Sequence, residues 1–260
     1  AFQLLESESG IDLFDRIGEQ SKASLFRDEF DRLSINVWDS TKGFAHSETD
    51  IPGDLDIFQT SNASAIDSGG IESMTRNPIA VESLTLDQVP LDEVYNSFEL
   101  RFRKNYATGG YREVITIDNG NGVVGSILTT LVAGDEAYME NDQTIAGLKA
   151  ICAASYTNCG NVTNKLTFDA DMIRDRPTAV KLFQHKIEVY AVRRYLAELS
   201  TWENALWVEF GDCINIRHRR MFERFGIPTA YRKKWSVYAI NHTLKTGEMR
   251  LKAVEVDTAR

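Results

Sequence analysis

A chain of 260 residues, 43% hydrophobic and 26% charged, has the composition of a globular protein of one large or two ordinary domains, long enough to bury a sizeable core. Its net charge is −9, with 20 acids and 6 bases in residues 1–100 and 18 acids and 23 bases in the remainder, a balance of −14 against +5. That balance argues against nucleic-acid binding through a generally basic surface, and no run approaches the roughly 18 apolar residues of a membrane-spanning helix.

The opening AFQLLESESG has neither the basic start nor the apolar run of a secretory signal, and no initiator Met. It reads as a processed end or as part of something longer. Ile11 to Ser21 follows as an amphipathic helix, with Ile11, Phe14, Ile17 and Gly18 on one face. A strand at Ala23 to Arg27, a charged turn at Asp28 to Asp31 and an alternating partner strand at Leu33 to Trp38 come next. From Asp39 to Glu93 the periodic segments are short and Ser, Asp, Gly and Asn recur, which predicts long loops with a few small strands.

Val94 to Arg103 alternates clearly, with Phe98, Leu100 and Phe102 against Glu99, Arg101 and Arg103, and predicts a half-buried strand. A turn at Asn105 to Gly110 and a strand at Arg112 to Ile117 complete a hairpin, and Asp118 to Gly122 is a second turn. Asp142 is the expected cap of a helix running to about Tyr156, and Gly160 marks the turn after it. A short strand at Lys165 to Phe168 precedes a helix opened by Asp175, Arg176 and Pro177, with Val180, Phe183, Ile187 and Tyr190 as its stripe. Val192 to Leu199 alternates again. Trp202 to His218 reads as strand, Gly-Asp turn, strand, and Trp235 to Asn241 with Glu248 to Val256 closes the chain as two strands around Lys245 to Gly247. The expected fold class is α+β, rich in antiparallel strands, with about three helices. The expected division is an acidic, loop-rich part at 1–93 and an α+β part at 94–260.

Little in the chain carries catalytic chemistry. Cys152, Cys159 and Cys213 form neither a disulfide framework nor a zinc set; Cys152 and Cys213 read as small buried hydrophobes, and assembly in a reducing compartment is the simplest inference. The four His (His46, His185, His218, His242) lack a nucleophile motif. Asp118-Asn119-Gly120-Asn121-Gly122 resembles the start of a calcium loop, but Thr129 stands where the closing acid belongs, and a hairpin turn is the simpler reading. Asp169, Asp171 and Asp175 are read as helix-start carboxylates. No catalytic, cofactor-binding or metal-binding residue is assigned, and no cofactor is expected. The sharpest local bias is the basic run Arg217, Arg219, Arg220, Arg224, Arg232, Lys233 and Lys234, interleaved with Phe222, Phe225, Tyr231 and Trp235. It has three readings: a groove for single-stranded nucleic acid, a subunit interface with an acidic neighbour, or a solvated hairpin tip.

Three segments in order resemble the central hub proteins of long-tailed phage tails and related baseplates. They are IDLFDRIGEQSKASLFRDEFDRLSINVWD (Ile11 to Asp39); TIAGLKAICAASYTNCGNVTNKLTF (Thr144 to Phe168) followed by ADMIRDRPTAVKLFQHKIEVYAVRRYLAELS (Ala170 to Ser200); and LWVEFGDCINIRH (Leu206 to His218) with WSVYAINHTLKTGEMRLKAVEV (Trp235 to Val256). The resemblance is one of pattern and order. It implies a non-enzymatic homotrimer that closes the tail tube, stacks on tube or distal-tail rings and bears receptor-binding or fibre proteins. DNA would be cargo in transit, and the place would be the virion, assembled in the bacterial cytoplasm. The family has no active-site residue to carry over. Two other classes stay open: a tail-associated carbohydrate-active or peptidoglycan-degrading enzyme, which would need a carboxylate pair in a cleft, and a nucleic-acid-binding module.

Overall fold

Alternating side chains become strand register in the computed structural model, which describes residues 10–27, 33–37, 57–59, 77–79, 83–202, 205–226, 233–243 and 247–256. In chain order the elements are α1 (Gly10–Ser21), β1 (Ala23–Arg27), β2 (Leu33–Val37), β3 (Ile57–Gln59), β4 (Asn77–Pro78), β5 (Thr85–Gln88), β6 (Ser97–Lys104), β7 (Tyr111–Asp118), β8 (Leu128–Thr129), α2 (Ile145–Asn158), β9 (Lys165–Ala170), α3 (Arg176–Tyr190), β10 (Tyr195–Trp202), β11 (Cys213–Arg217), α4 (Arg219–Phe225), β12 (Trp235–Thr243) and β13 (Glu248–Glu255). Short 3-10 turns lie at Leu91–Glu93, Val124–Ser126 and Ala133–Tyr138. The strands β1 and β2 pair as a two-stranded sheet. The chain forms two units: residues 1–25 with 89–193, and residues 26–88 with 194–260.

The first unit is built on a four-stranded sheet in the order β8-β7-β6-β9. The alternation of β6 puts Phe98, Leu100 and Phe102 wholly inside, with Phe98 and Leu100 opposite Ile117 and Ile115 of β7. Leu148 and Cys152 of α2, with Val180, Phe183 and Ile187 of α3, complete the same core. Tyr190, expected in the stripe of α3, is the exception: it is exposed. A buried polar set then pins the connections. Asn96 Nδ2 donates to the Val162 carbonyl at 2.8 Å, and its Oδ1 accepts the Asn164 N–H at 3.0 Å. Asn119 Nδ2 donates to the Cys152 carbonyl at 2.7 Å while its Oδ1 accepts the Gly122 N–H at 2.8 Å. The calcium-like segment is thus a turn whose central amide is spent inside. Gly122, at φ 72°, faces the Tyr156 ring where a Cβ would stand 2.3 Å from a ring carbon.

The second unit carries a seven-stranded sheet in the order β4-β3-β11-β12-β13-β10-β5. Its core holds Phe58, Leu84, Leu199, Ile214, Ile216, Trp235, Val237 and Leu251, all 1% exposed or less. The register of β12 on β13 shifts between Val237 and Ala239, which leaves Tyr238 exposed. Phe26 stacks on Phe210 at 5.4 Å. Gly211 sits at φ 85° with the Asn36 amide where a Cβ would be, so only glycine fits.

The α+β reading holds, with four adjustments. Three pairings are parallel, β9 with β6, β3 with β11 and β4 with β3, so the antiparallel character is partial. A fourth α-helix, α4, joins the three expected. The cap of α2 is Thr144, whose Oγ1 accepts the Gly147 N–H at 3.0 Å, not Asp142. Asp142 lies at φ 53° in the left-handed region, whereas a capping residue needs extended backbone. The stretch before Gly211 is not a strand: Val208 N–H bonds the Ala205 carbonyl at 3.0 Å, and Glu209 with Asp212 closes a turn. The Asp28 to Asp31 turn and much of the Asp39 to Glu93 segment lie outside the described residues.

An ion pair links the 3-10 turn at Ala133–Tyr138 to the start of α3. Arg176 donates from Nε and Nη2 to the two oxygens of Asp135, each at 2.7 Å, and Asp135 also accepts the Val132 N–H. The Arg176 hydrogen bonds hold the Asp135 carboxyl below its ordinary 3.8, against burial and with help from the Val132 N–H. A depressed acid contributes stability that is complete above pH 3.8 and is lost as pH falls through the lowered value. Asp135→Asn should cost the protein about 2 kcal/mol at neutral pH and shrink the acid-side loss. Urea unfolding at neutral pH and at about pH 3 checks both; equal stability of the two proteins at neutral pH would remove the assigned role.

Candidate interaction surface

The basic run begins at the end of β11, a strand buried along most of its length. Buried His218 follows, and its Nδ1 accepts the Arg220 N–H at 3.1 Å, so the imidazole caps α4. The helix turns Met221 and Phe225 toward the core, while Arg220, Glu223 and Arg224 are exposed. Arg220 donates to the Leu84 carbonyl. Arg224 Nε donates to the Tyr195 hydroxyl at 2.6 Å, and its guanidinium carbon lies 5.2 Å from that ring's centre.

Aromatic rings carry this layer inward. Tyr195 meets Phe225 edge-on at 5.0 Å, and Phe225 meets Trp235 at 6.3 Å. Lys233 Nζ lies 4.4 Å from the centre of the Phe225 ring and pairs with the Glu255 carboxylate. Both ends of that pair are buried, so the pairing must be complete to be tolerated. Glu255 Oε2 also accepts the Tyr195 N–H at 3.1 Å, and its carbonyl accepts from Arg194 Nη1 at 2.7 Å. The Lys233 carbonyl accepts from Asn215 Nδ2 at 3.0 Å.

Of the seven basic residues, then, Lys233 and Lys234 are buried within their own unit and Arg217 is half-buried. Arg220 and Arg224 are exposed, four residues apart on one face of α4, each anchored by a hydrogen bond that leaves the rest of its guanidinium outward. Arg219 opens α4, and Arg232 lies outside the described residues. Two of the interleaved aromatics, Phe225 and Trp235, are engaged inside. Three participants went unnoticed in the sequence: His218 as a cap, Tyr195 as a ring under Arg224, and Glu255. Glu255 had a signal, because it shares the inward register of Met249, Leu251 and Ala253, where a lone acid demands a partner.

The fold matches that of a chain in the virion of a native gene transfer agent (GTA) particle, with a TM-score of 0.54 at 9% identity over 98% of this chain. The present chain covers 40% of that one's length. Chains of the phage P2 baseplate in its activated conformation, one a topological model and one a structure with Ca, align over the whole chain at 16% and 15% identity. They cover 57% of those chains, at TM-scores of 0.25 and 0.24, values from which no shared fold is argued. No family model and no curated protein sequence matches the chain.

The His218 cap is sensitive to acid. Burial, then the Arg220 charge, hold His218 below its ordinary 6.5, with Glu223 acting the other way, and only the neutral ring can accept from Arg220. Its contribution is complete above pH 6.5 and is lost as pH falls through the lowered value. Amide exchange over residues 219–225 should therefore rise on mild acidification. His218→Asn, which keeps an acceptor, should abolish that dependence, and His218→Ala should loosen α4 at neutral pH by about 1 kcal/mol. Identical acid dependence in the wild type and His218→Asn would refute the cap.

Proposed function

We propose that the chain is a structural component of a phage-type tail tip: a hub that closes the tail tube as a homotrimer and anchors baseplate or receptor-binding proteins. The observation that carries this reading is the fold shared with a gene-transfer-agent virion chain over 98% of the present sequence. Neighbours in such an assembly would be a tail-tube or distal-tail ring on one side and fibre or receptor-binding proteins on the other, with DNA as cargo in transit. The site would be the virion, after assembly in the bacterial cytoplasm.

Charge supports the assignment physically. The net −14 of the first hundred residues suits the wall of a DNA conduit, since like charge keeps the cargo from sticking. The Arg220 and Arg224 face of α4 suits an acidic neighbour, which steers docking and excludes wrong partners. Engagement of Phe225 and Trp235 inside favours a protein partner over single-stranded nucleic acid, whose bases need open rings to stack on.

Light scattering of the purified protein, with negative-stain images, tests the oligomer: a trimeric ring is expected. A monomer that cleaves glycan or peptidoglycan would overturn the reading in favour of a tail-associated enzyme. The interface has its own test. Arg219→Glu with Arg220→Glu should block assembly, while Arg220→Gln, which keeps a donor for the Leu84 carbonyl, should assemble. Normal rings from the double variant would show that this face is not buried between subunits.

A further inference from the structure

The helix α1 is docked the wrong way round for a core helix. Its described bulky apolar side chains do not enter the core of the first unit: Phe14 is 47% exposed, and Leu13 and Ile17 are half-buried and outside that core. Its polar side chains make the contacts instead. Arg16 Nη1 donates to Asp171 Oδ2 at 3.1 Å, and Gln20 Nε2 donates to Asp171 Oδ1 at 2.8 Å. Gln20 Oε1 accepts the Met172 N–H at 3.1 Å. Lys22, just past the helix, reaches Glu140 at 2.8 Å, and Glu19 lies 3.8 Å from Lys186.

Each charged anchor also has a second partner that stays behind. Asp171 is 3.8 Å from Lys104 Nζ, and Glu140 is 3.8 Å from Lys181 Nζ. Lys186 Nζ lies 5.0 Å and 5.6 Å from the centres of the Phe168 and Tyr190 rings, which stabilise a cation. Departure of α1 therefore leaves Asp171 and Glu140 each near a lysine and Lys186 against two rings, which reduces the usual penalty for breaking such pairs. Lys22, at φ 56°, sits at the bend where the helix passes into β1.

From this arrangement we infer that α1 is a releasable strap, held on the first unit by ion pairs and hydrogen bonds and let go by ionic screening while the sheet beneath stays folded. The sign of the salt effect is diagnostic. Ion pairs with a solvent-open partner, as Glu19 and Glu140 are, weaken as the screening length shrinks, the more enclosed Arg16–Asp171 pair less so, whereas apolar docking is left unchanged or strengthened.

Hydrogen exchange on the intact protein, at low salt and at about 0.5 M sodium chloride, where the screening length is roughly 4 Å, reads the effect. Amides of residues 10–21 should exchange about tenfold faster in high salt, with residues 97–118 of β6 and β7 unchanged. Lys22→Gln removes an anchor far from the core, so its α1 should exchange faster already at low salt and respond less to added salt. Salt-independent exchange of α1, acceleration of α1 together with β6 and β7, or a Lys22→Gln protein indistinguishable from wild type at low salt would each overturn the inference.

Discussion

A buried polar group without a partner costs more than most single contacts return, and that constraint organises both units. Apolar registers of β6, β7, β12 and β13 build the cores, but registers alone leave the connections undetermined. In the first unit, Asn96 uses both ends of its amide on the distant segment at Val162 and Asn164, while Asn119 ties its own turn at Gly122 to the Cys152 carbonyl, and so they fix how the crossovers run. In the second, Glu255 gathers Lys233, the Tyr195 N–H and Arg194 around one position at the end of β13. Each group is satisfied only when several segments arrive together, which couples local order to the whole unit.

The same constraint alters how the basic run should be understood. Read along the sequence, it is seven cations in eighteen residues. In the fold, part of that charge neutralises an internal acid or covers an aromatic ring, and among the described residues the outward Arg220 and Arg224 lie on a helix of seven residues. Cations that satisfy internal carbonyls and rings hold the shape of the surface; the parts of them that face outward give it sign. A positive cluster in a sequence therefore says less about partners than the few guanidinium edges left over after the interior is served.

Strong periodicity made much of this legible. The β6–β7 hairpin, α3 with its Asp175 cap and Pro177, and the closing β12–β13 pair all follow from two- or three-residue spacing and turn chemistry. What stayed hidden depends on tertiary context. Asp142 and Thr144 are both good capping residues; backbone conformation decides between them, and composition carries no trace of it. The segment before Gly211 alternates well enough for a strand, yet it closes as turns because Asp212 bonds back to Glu209. The helix α4 is short and crowded with arginine, and its start is set by an imidazole outside the usual capping set. The candidate surface was legible as a charge bias and illegible as geometry, because its partners, the Tyr195 ring and hydroxyl of β10 and the Glu255 carboxylate of β13, come from other segments of the chain.

The second unit is discontinuous in sequence, and this has a consequence for how the polypeptide leaves the ribosome. Among the described residues the strand β5 pairs with β10, more than a hundred residues later, and β3, which has β4 on one edge, meets β11 on the other later still. The first unit lies almost wholly between them and can close before either partner has been synthesised. Until then β5 and the β11 side of β3 are open hydrogen-bonding edges, the condition under which chains pair with the wrong neighbour. A holding chaperone over that interval would shield those edges until β10 and β11 arrive.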